Sequence, residues 1–167
     1  MKLIITRHAK SSWDDPLLDD HDRPLNARGR EAASRIGNWI TEQGHVPDHV
    51  LCSTAERAKW TCALAIEQMA TRPVVDMESG LYHAGPDSIL RLIHQAPTGD
   101  LMVVGHNPGF AEFASMITRE RPRHIKFGQY PTAATLVVEA DIAEWSALAF
   151  GSAKLVDFVV PRDLDPA

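Results

Sequence analysis

The chain of 167 residues contains only two cysteines, Cys52 and Cys62. Both fall in predicted regular elements, so we expect reduced packing residues and not a disulfide. No apolar run approaches the length of a membrane span. The apolar start of the chain is too short for a signal-peptide core, and Arg7 interrupts it. The cytoplasm is therefore the default compartment.

Positive charge is also scarce, because the net charge is −5 and the sequence pI is about 5.9. Binding to nucleic acid or to a membrane surface is therefore not expected. The glycine-rich nucleotide motifs G-x-G-x-x-G and G-x-x-x-x-G-K-[ST] are absent, which counts against a nucleotide site on a Rossmann-like sheet. The acidic segment 11–23 lacks the spacing of a calcium loop, so we predict a solvated surface loop there. The carboxylates near His8 and His106 are not at ligand spacing, so neither a metal nor another cofactor is predicted.

Short apolar runs alternate with helical patterns along the chain, and this alternation predicts one α/β domain over residues 1–167 with a mostly parallel sheet. No helix-length segment separates the last two strands, so they could be antiparallel at one side of the sheet. Asn26 is a good N-cap, and Gly44 is a natural helix stop. The predicted helices span 26–43, 55–70, 86–96 and 108–117. The predicted strands span about 3–8, 50–53, 73–77, 101–104, 134–140 and 153–160.

Candidate functional residues stand where three of these strands end. The first strand leads into Arg7 and His8, the second into Ser53 with Arg57 one turn further on, and the fourth into His106. The carboxyl ends of parallel strands share one rim, which is where open α/β sheets bind ligands. Guanidinium groups and helix N-termini are the common protein devices for holding phosphate. The sequence therefore predicts a phosphate pocket at this rim.

Each of these residues alone has a plainer interpretation. A single histidine at a strand end is more often a hydrogen-bonded structural residue than a catalyst. Arg57 alone would most often be a solvated helix residue, and an N-cap role would suffice to explain Ser53. The hypothesis depends on their convergence.

The motifs, taken together, resemble the histidine phosphatase superfamily, the phosphoglycerate mutase-like family. Arg7-His8-Ala9 resembles its Arg-His-Gly signature, and Gly105-His106-Asn107-Pro108 its second histidine motif. Two further segments match in family order: Pro24-Leu25-Asn26-x-x-Gly29 and Ser53-x-Ala55-x-Arg57-Ala58-x-x-Thr61. The short chain and Leu81-Tyr82-His83 look closest to the SixA-like phosphohistidine phosphatases. The resemblance implies a three-layer α/β/α sandwich with a mostly parallel sheet and an antiparallel edge.

The resemblance also implies roles for the residues. His8 would attack phosphorus and form a phosphohistidine intermediate that water hydrolyses. Neighbouring cations would keep His8 neutral, while a backbone carbonyl would hold its other ring N–H. Arg7, Arg57 and His106, the last as a protonated donor, would stabilise the transferring phosphoryl group. Ser53 and Asn107 are expected among the substrate-binding residues.

Two departures from the family pattern affect the expected chemistry. Ala9 replaces the glycine of the first signature, so the backbone must accommodate a Cβ there. Many members carry a glutamate as general acid at the position that His83 occupies here, and Glu78 is out of register for that role. His83 is the possible substitute acid, although a loop histidine without such a role fits equally well. Without a strong acid, the labile P–N bond of phosphohistidine is a better substrate than an alkyl phosphate.

Three functions stay open from the sequence. The leading hypothesis is a metal-independent phosphatase acting on a phosphohistidine-bearing protein. The alternatives are a small-molecule phosphomonoesterase or mutase on the same scaffold and a non-catalytic phosphate-binding module. A mutase would need an enclosing lid, and the sequence has no long insertion to form one. The oligomeric state is not determined by the sequence, and a monomer is favoured.

Overall fold

A six-stranded sheet forms the centre of the computed structural model, which describes residues 1–166. The strands are β1 (Lys2–Arg7), β2 (His49–Cys52), β3 (Val74–Met77), β4 (Leu101–Gly105), β5 (Thr135–Glu139) and β6 (Lys154–Val159). Their order across the sheet is β3-β2-β4-β1-β5-β6. The first four strands are mutually parallel, and β5 and β6 run antiparallel at one side. The predicted mixed sheet is confirmed.

Four helices complete the fold: α1 (Ala27–Glu42), α2 (Glu56–Glu67), α3 (Pro86–His94) and α4 (Gly109–Ile117). Asn26 caps α1 by accepting a hydrogen bond from the backbone N–H of Gly29, and the chain leaves this helix through Gly44 at a φ of +72°. The predicted α2 was too long, because the chain turns out of the helix after Glu67. Ala55, and not Ser53, is the N-cap of α2, which corrects the plain interpretation of Ser53.

Alternate residues of the central strands supply the two halves of the core. Leu3 and Ile5 of β1 pack in the cluster that contains α3 and α4, whereas Ile4 packs in the cluster that contains α1 and α2. Side chains of a strand alternate between the two faces of its sheet, so these clusters are the two interfaces of an α/β/α sandwich. The cysteines Cys52 and Cys62 are buried and free.

No helix in the described part of the chain combines the length and the apolar character that crossing a membrane requires.

Candidate active site

The sheet register brings the three predicted strand ends together. Arg7 of β1 is paired with Gly105 of β4, and the backbone N–H of His8 donates to the Gly105 carbonyl at 2.9 Å. On the other side of β4, the N–H of Ser53 donates to the Val104 carbonyl at 3.0 Å. Because β4 lies between β1 and β2, the residues that follow each strand share one rim. The predicted convergence is confirmed in the structure.

His8 is buried, with 6% of its surface exposed, and its tautomer is determined by one contact. Its Nδ1 lies 2.7 Å from the carbonyl oxygen of Ala9. A carbonyl can only accept, so Nδ1 carries the proton and Nε2 keeps a free lone pair. Burial is the main reason that the pKa of His8 is lowered to about 4; the hydrogen bond to Ala9 opposes this shift, and the charges of Arg57 and Arg7 add smaller contributions to it. At neutral pH the ring is therefore an uncharged base with the right atom available for attack.

The two predicted arginines approach His8 from different elements. Arg7 donates through one terminal nitrogen to the carbonyl of Tyr130 at 3.2 Å, and burial followed by the charge of Arg57 lowers its pKa. The Nε atoms of both Arg7 and Arg57 are buried without a hydrogen-bond partner among the described residues. Buried guanidinium donors normally find an acceptor. An oxyanion at this rim would provide one.

His106 faces His8, with the ring centroids 5.1 Å apart. Its Nε2 lies 2.7 Å from the hydroxyl of Ser53, and its Nδ1 is buried with no partner among residues 1–166. Burial is the main reason that the pKa of His106 is lowered to about 3, and repulsion from His8, once that ring is protonated, and from Arg57 lowers it further. In the free protein His106 is therefore neutral near pH 7, and the expected protonated donor, which concerns the ring beside a phosphoryl group, stays a prediction. A phosphoryl dianion beside the ring would raise that pKa and favour the charged form.

Sequence reasoning missed a carboxylate that belongs to this site. Asp20, which lies in the segment predicted to be a solvated loop, accepts from Arg57 at 2.9 Å and from Arg23 at 3.0 Å. The hydroxyl of Tyr82 donates to the same carboxylate at 2.5 Å. These bonds hold the pKa of Asp20 well below its usual range, the bond from Tyr82 having the largest effect. Asp20 is thus an ionised anchor that orients Arg57.

Arg23 was missed for the same reason, since it lies in the same polar segment. It is almost fully buried, and its guanidinium stacks on the ring of Trp13 at 3.5 Å from the ring centroid. It also donates to the hydroxyl of Ser11 at 2.8 Å. The only available signal in the sequence was an arginine among aspartates, which is equally typical of an exposed ion pair.

The remaining predicted residues have plainer positions. Both N–H groups of the Asn107 amide reach backbone carbonyls, at 3.2 Å for Gln129 and 2.9 Å for Tyr130, so this side chain ties a loop to the end of β4. His83 is exposed at a φ of +60°, and its ring lies 3.9 Å from that of Tyr82. The carboxylate of Glu78 accepts a hydrogen bond from the N–H of Gly80 and stabilises a turn. This contact does not suit the role of a general acid.

Among the described residues, no group of three or more histidine, cysteine, aspartate or glutamate side chains could hold a metal ion. The positive charges available to a bound phosphoryl group are those of the arginines at the rim.

Comparison with known proteins agrees with this geometry. The sequence profile of the histidine phosphatase superfamily (branch 1) matches residues 3–80. An uncharacterized protein of Mycobacterium tuberculosis is 33% identical over 165 residues, covering 93% of this chain and 99% of that protein. The chain belongs to the histidine phosphatase superfamily.

Two solved structures of this superfamily have the same fold. One is a candidate phosphohistidine phosphatase SixA from Nakamurella multipartita, with a TM-score of 0.78, 29% identity and coverage of 96% of this chain and 95% of that chain. The other is a candidate phosphohistidine phosphatase SixA from Agrobacterium tumefaciens, with a TM-score of 0.76, 25% identity and coverage of 96% and 98%. The fold and the SixA-like character expected from the motifs are therefore confirmed.

The superfamily motifs have local structural reasons in this chain. A Cβ on Gly29 would lie 2.0 Å from the carbonyl oxygen of Lys10, so only glycine lets α1 begin against the chain that follows His8. The hydroxyl of Thr61 accepts from the N–H of Ala9 at 2.9 Å and donates to the carbonyl of Arg57 at 2.7 Å. One side chain thus connects the His8 and Arg57 segments.

Proposed function

We propose that the protein is a phosphohistidine phosphatase that removes the phosphoryl group from a histidine side chain of another protein. The observation that carries the proposal is the state of His8: a buried, neutral imidazole whose Nδ1–H is held by Ala9, facing His106 and flanked by two arginines. Such a ring presents its Nε2 lone pair to an electrophile. Its setting supports attack on phosphorus by nitrogen.

The reaction divides into two displacements. In the first, Nε2 of His8 forms a bond to phosphorus while the P–N bond of the substrate breaks, and the departing ring carries a proton taken from solvent. In the second, water attacks the phosphorus, the bond to Nε2 breaks, and inorganic phosphate and neutral His8 result. Arg7, Arg57 and His106 stabilise the equatorial oxygens in both steps. These steps need no cofactor.

The ionised state of Asp20 favours a phosphoramidate over a phosphate ester as the substrate. The carboxylate nearest the arginines, that of Asp20, is held ionised by Tyr82, Arg57 and Arg23, so it has no proton to donate at neutral pH. His83 is exposed and packs against Tyr82. The names of the two similar structures point to the same substrate class, since both are described as candidate phosphohistidine phosphatases.

The test compares substrates and traps the intermediate. The purified protein should release phosphate from a phosphohistidine peptide much faster than from a sugar phosphate, whose alkoxide leaving group needs a proton. His8→Ala should abolish release, while His94→Ala, at a histidine that contacts only the carbonyl of Leu148 outside the site, should not.

An acid-labile phosphoryl group should appear on wild-type protein quenched in base during turnover, and should be missing from His8→Ala. Fast release from sugar phosphates with none from phosphohistidine would assign the scaffold to small-molecule phosphomonoester chemistry. Saturable phosphate binding without turnover of any substrate would leave only a phosphate-binding module.

A further inference from the structure

A groove of about 870 Å³ runs beside the candidate active site and has no part in the chemistry described above. It lies between the start of α1, the loop 124–132 and the final turn 161–165. Five lysine and arginine side chains line it, against three carboxylates: Lys10, Arg28, Arg35, Lys126 and Arg162. A local excess of positive charge is unexpected on a chain whose net charge is −5. We call this surface the basic groove.

Each of the three carboxylates of the basic groove has a partner, and the five cations leave the lining a net charge of +2, counting His124 as neutral. Glu31 and Asp165 both pair with Arg35, and Asp163 lies 2.9 Å from Nε2 of His124. Within residues 1–166, the other four cations of the groove take part in no ion pair, and three of them, Lys10, Arg28 and Arg162, are exposed. The positive charge is therefore available to a partner and not consumed within the fold.

The groove and the active site share a wall. Lys10 lies in the groove only two residues after His8. Pro131 and Thr132 also line the groove, whereas the next residue, Ala133, donates its N–H to the carbonyls of Arg7 and His8 at 3.1 and 3.0 Å. A partner that brings a phosphorylated side chain to His8 would therefore also face the segments that line the groove.

We propose that the basic groove binds an acidic surface on the phosphohistidine-bearing protein, next to the phosphorylated side chain. This inference rests on the proposed function, because it names the class of protein that the site would serve. Opposite charges steer encounter and set orientation more than they add affinity. Ile125, with 91% of its surface exposed in the same groove, offers one apolar contact of the kind that protein partners use.

A protein partner fits this surface better than other polyanions do. Outside the groove the chain is acidic overall, which would repel a nucleic acid or an anionic bilayer that extends beyond it. The groove is also concave, whereas a bilayer surface is flat. A compact partner with a local acidic patch meets both conditions.

The experiment uses three short peptides, each carrying one phosphohistidine flanked by glutamate, glutamine or lysine, and inorganic phosphoramidate as a substrate too small to reach the groove. For the wild type we expect kcat/KM to be on the order of tenfold higher for the glutamate peptide than for the lysine peptide, mainly through KM. The difference should shrink as salt is raised.

The groove variant carries Arg28→Glu, Lys126→Glu and Arg162→Glu. It should lose or reverse the preference among the peptides while hydrolysing phosphoramidate at the wild-type rate. A matched control with the same change in net charge carries Arg72→Glu, Arg119→Glu and Lys154→Glu, at exposed cations outside the groove. The control should keep the wild-type preference. Thermal melts of both variants verify that they are folded.

Equal kcat/KM for the three peptides on the wild type, or an unchanged preference in the groove variant, would overturn the inference and leave the proposed function intact. A wild type inactive on the peptides and on phosphoramidate would instead refute the proposed function. Anionic vesicles or RNA that bind the wild type but not the groove variant, with no preference among the peptides, would assign the groove to those polyanions and also overturn the inference.

Discussion

His8 should remain uncharged across the whole physiological pH range. Burial lowers its pKa to about 4, whereas an unperturbed histidine titrates near 6.5. At pH 5.5 about 97% of His8 would then be neutral, against roughly 9% for an unperturbed ring. If activity follows the neutral fraction of His8, the share of the maximal activity that remains at pH 5.5 should therefore be about tenfold higher than for a histidine nucleophile with an ordinary pKa. The assay needs an acid-stable substrate.

The direct assay is an NMR titration of protein labelled in its histidine rings. Signals of His8 and His106, assigned by their loss in His8→Gln and His106→Gln, should stay at the neutral position down to pH 5. Adding tungstate or phosphate near neutral pH should shift His106 towards the charged form and leave distant His94 unchanged. A His8 signal that titrates at pH 6 or above without any added anion would refute the argument from burial.

Stability gives a second measure of the same perturbation. The folded pKa of His8 is lower than the unfolded one, so the unfolded chain binds more protons and stability falls as pH drops from 6.5 towards 4. Between pH 7 and pH 5 this amounts to about 2 kcal/mol. The free energy of unfolding, measured by urea titration, should fall by about 2 kcal/mol less for His8→Gln than for the wild type between pH 7 and pH 5. His94→Gln should behave like the wild type. Equal losses in all three proteins would contradict the prediction.

Three shorter predictions follow from individual contacts. Gly29→Ala places a Cβ 2.0 Å from the Lys10 carbonyl and should lower the free energy of unfolding by about 2 kcal/mol or more, whereas Gly128→Ala, whose Cβ would meet only the end of the Arg121 side chain at 3.6 Å, should change it little in the same thermal melts. Ser53→Ala removes the hydroxyl 2.7 Å from His106, so kcat should fall by roughly tenfold while the fold, followed by circular dichroism, is retained. Dialysis against EDTA should leave phosphatase activity unchanged, because no metal-binding cluster occurs in the described residues; loss of activity restored by a divalent cation would contradict it.

Short-range sequence patterns predicted most of the helices and strands, because apolar runs and helix-end residues lie within or next to the elements that they define. The run that forms β4 is apolar at each of its buried positions, and Asn26 and Gly44 mark the two ends of α1 in the structure. The end of α2 was misplaced, since residues 68–70 continue its composition but not its helix. Nothing in the residue types of that segment forces the chain to turn there.

The site was predictable wherever it follows from the order of strands. His8, Arg57 and His106 are brought together by parallel register, which the alternation of strands and helices already implied. Asp20 was not predictable in this way, because its partners Arg57 and Tyr82 lie 37 and 62 residues further along the chain. A segment of aspartates gives no signal of which carboxylate will find a guanidinium so far away.

The ionised state of Asp20 bears on which leaving group the site can expel. The alkoxide that leaves from an alkyl phosphate is about as basic as hydroxide. Cleavage of the ester therefore requires a proton donor placed beside the leaving oxygen. Phosphohistidine differs, because its ring has a second nitrogen that solvent protonates near neutral pH, after which the ring departs as neutral imidazole. Asp20 is 45% exposed and already bonded to Tyr82 and two arginines, so it supplies charge and position and not a proton. A site that orients phosphorus through arginines fixed by an ionised carboxylate is suited to a P–N bond.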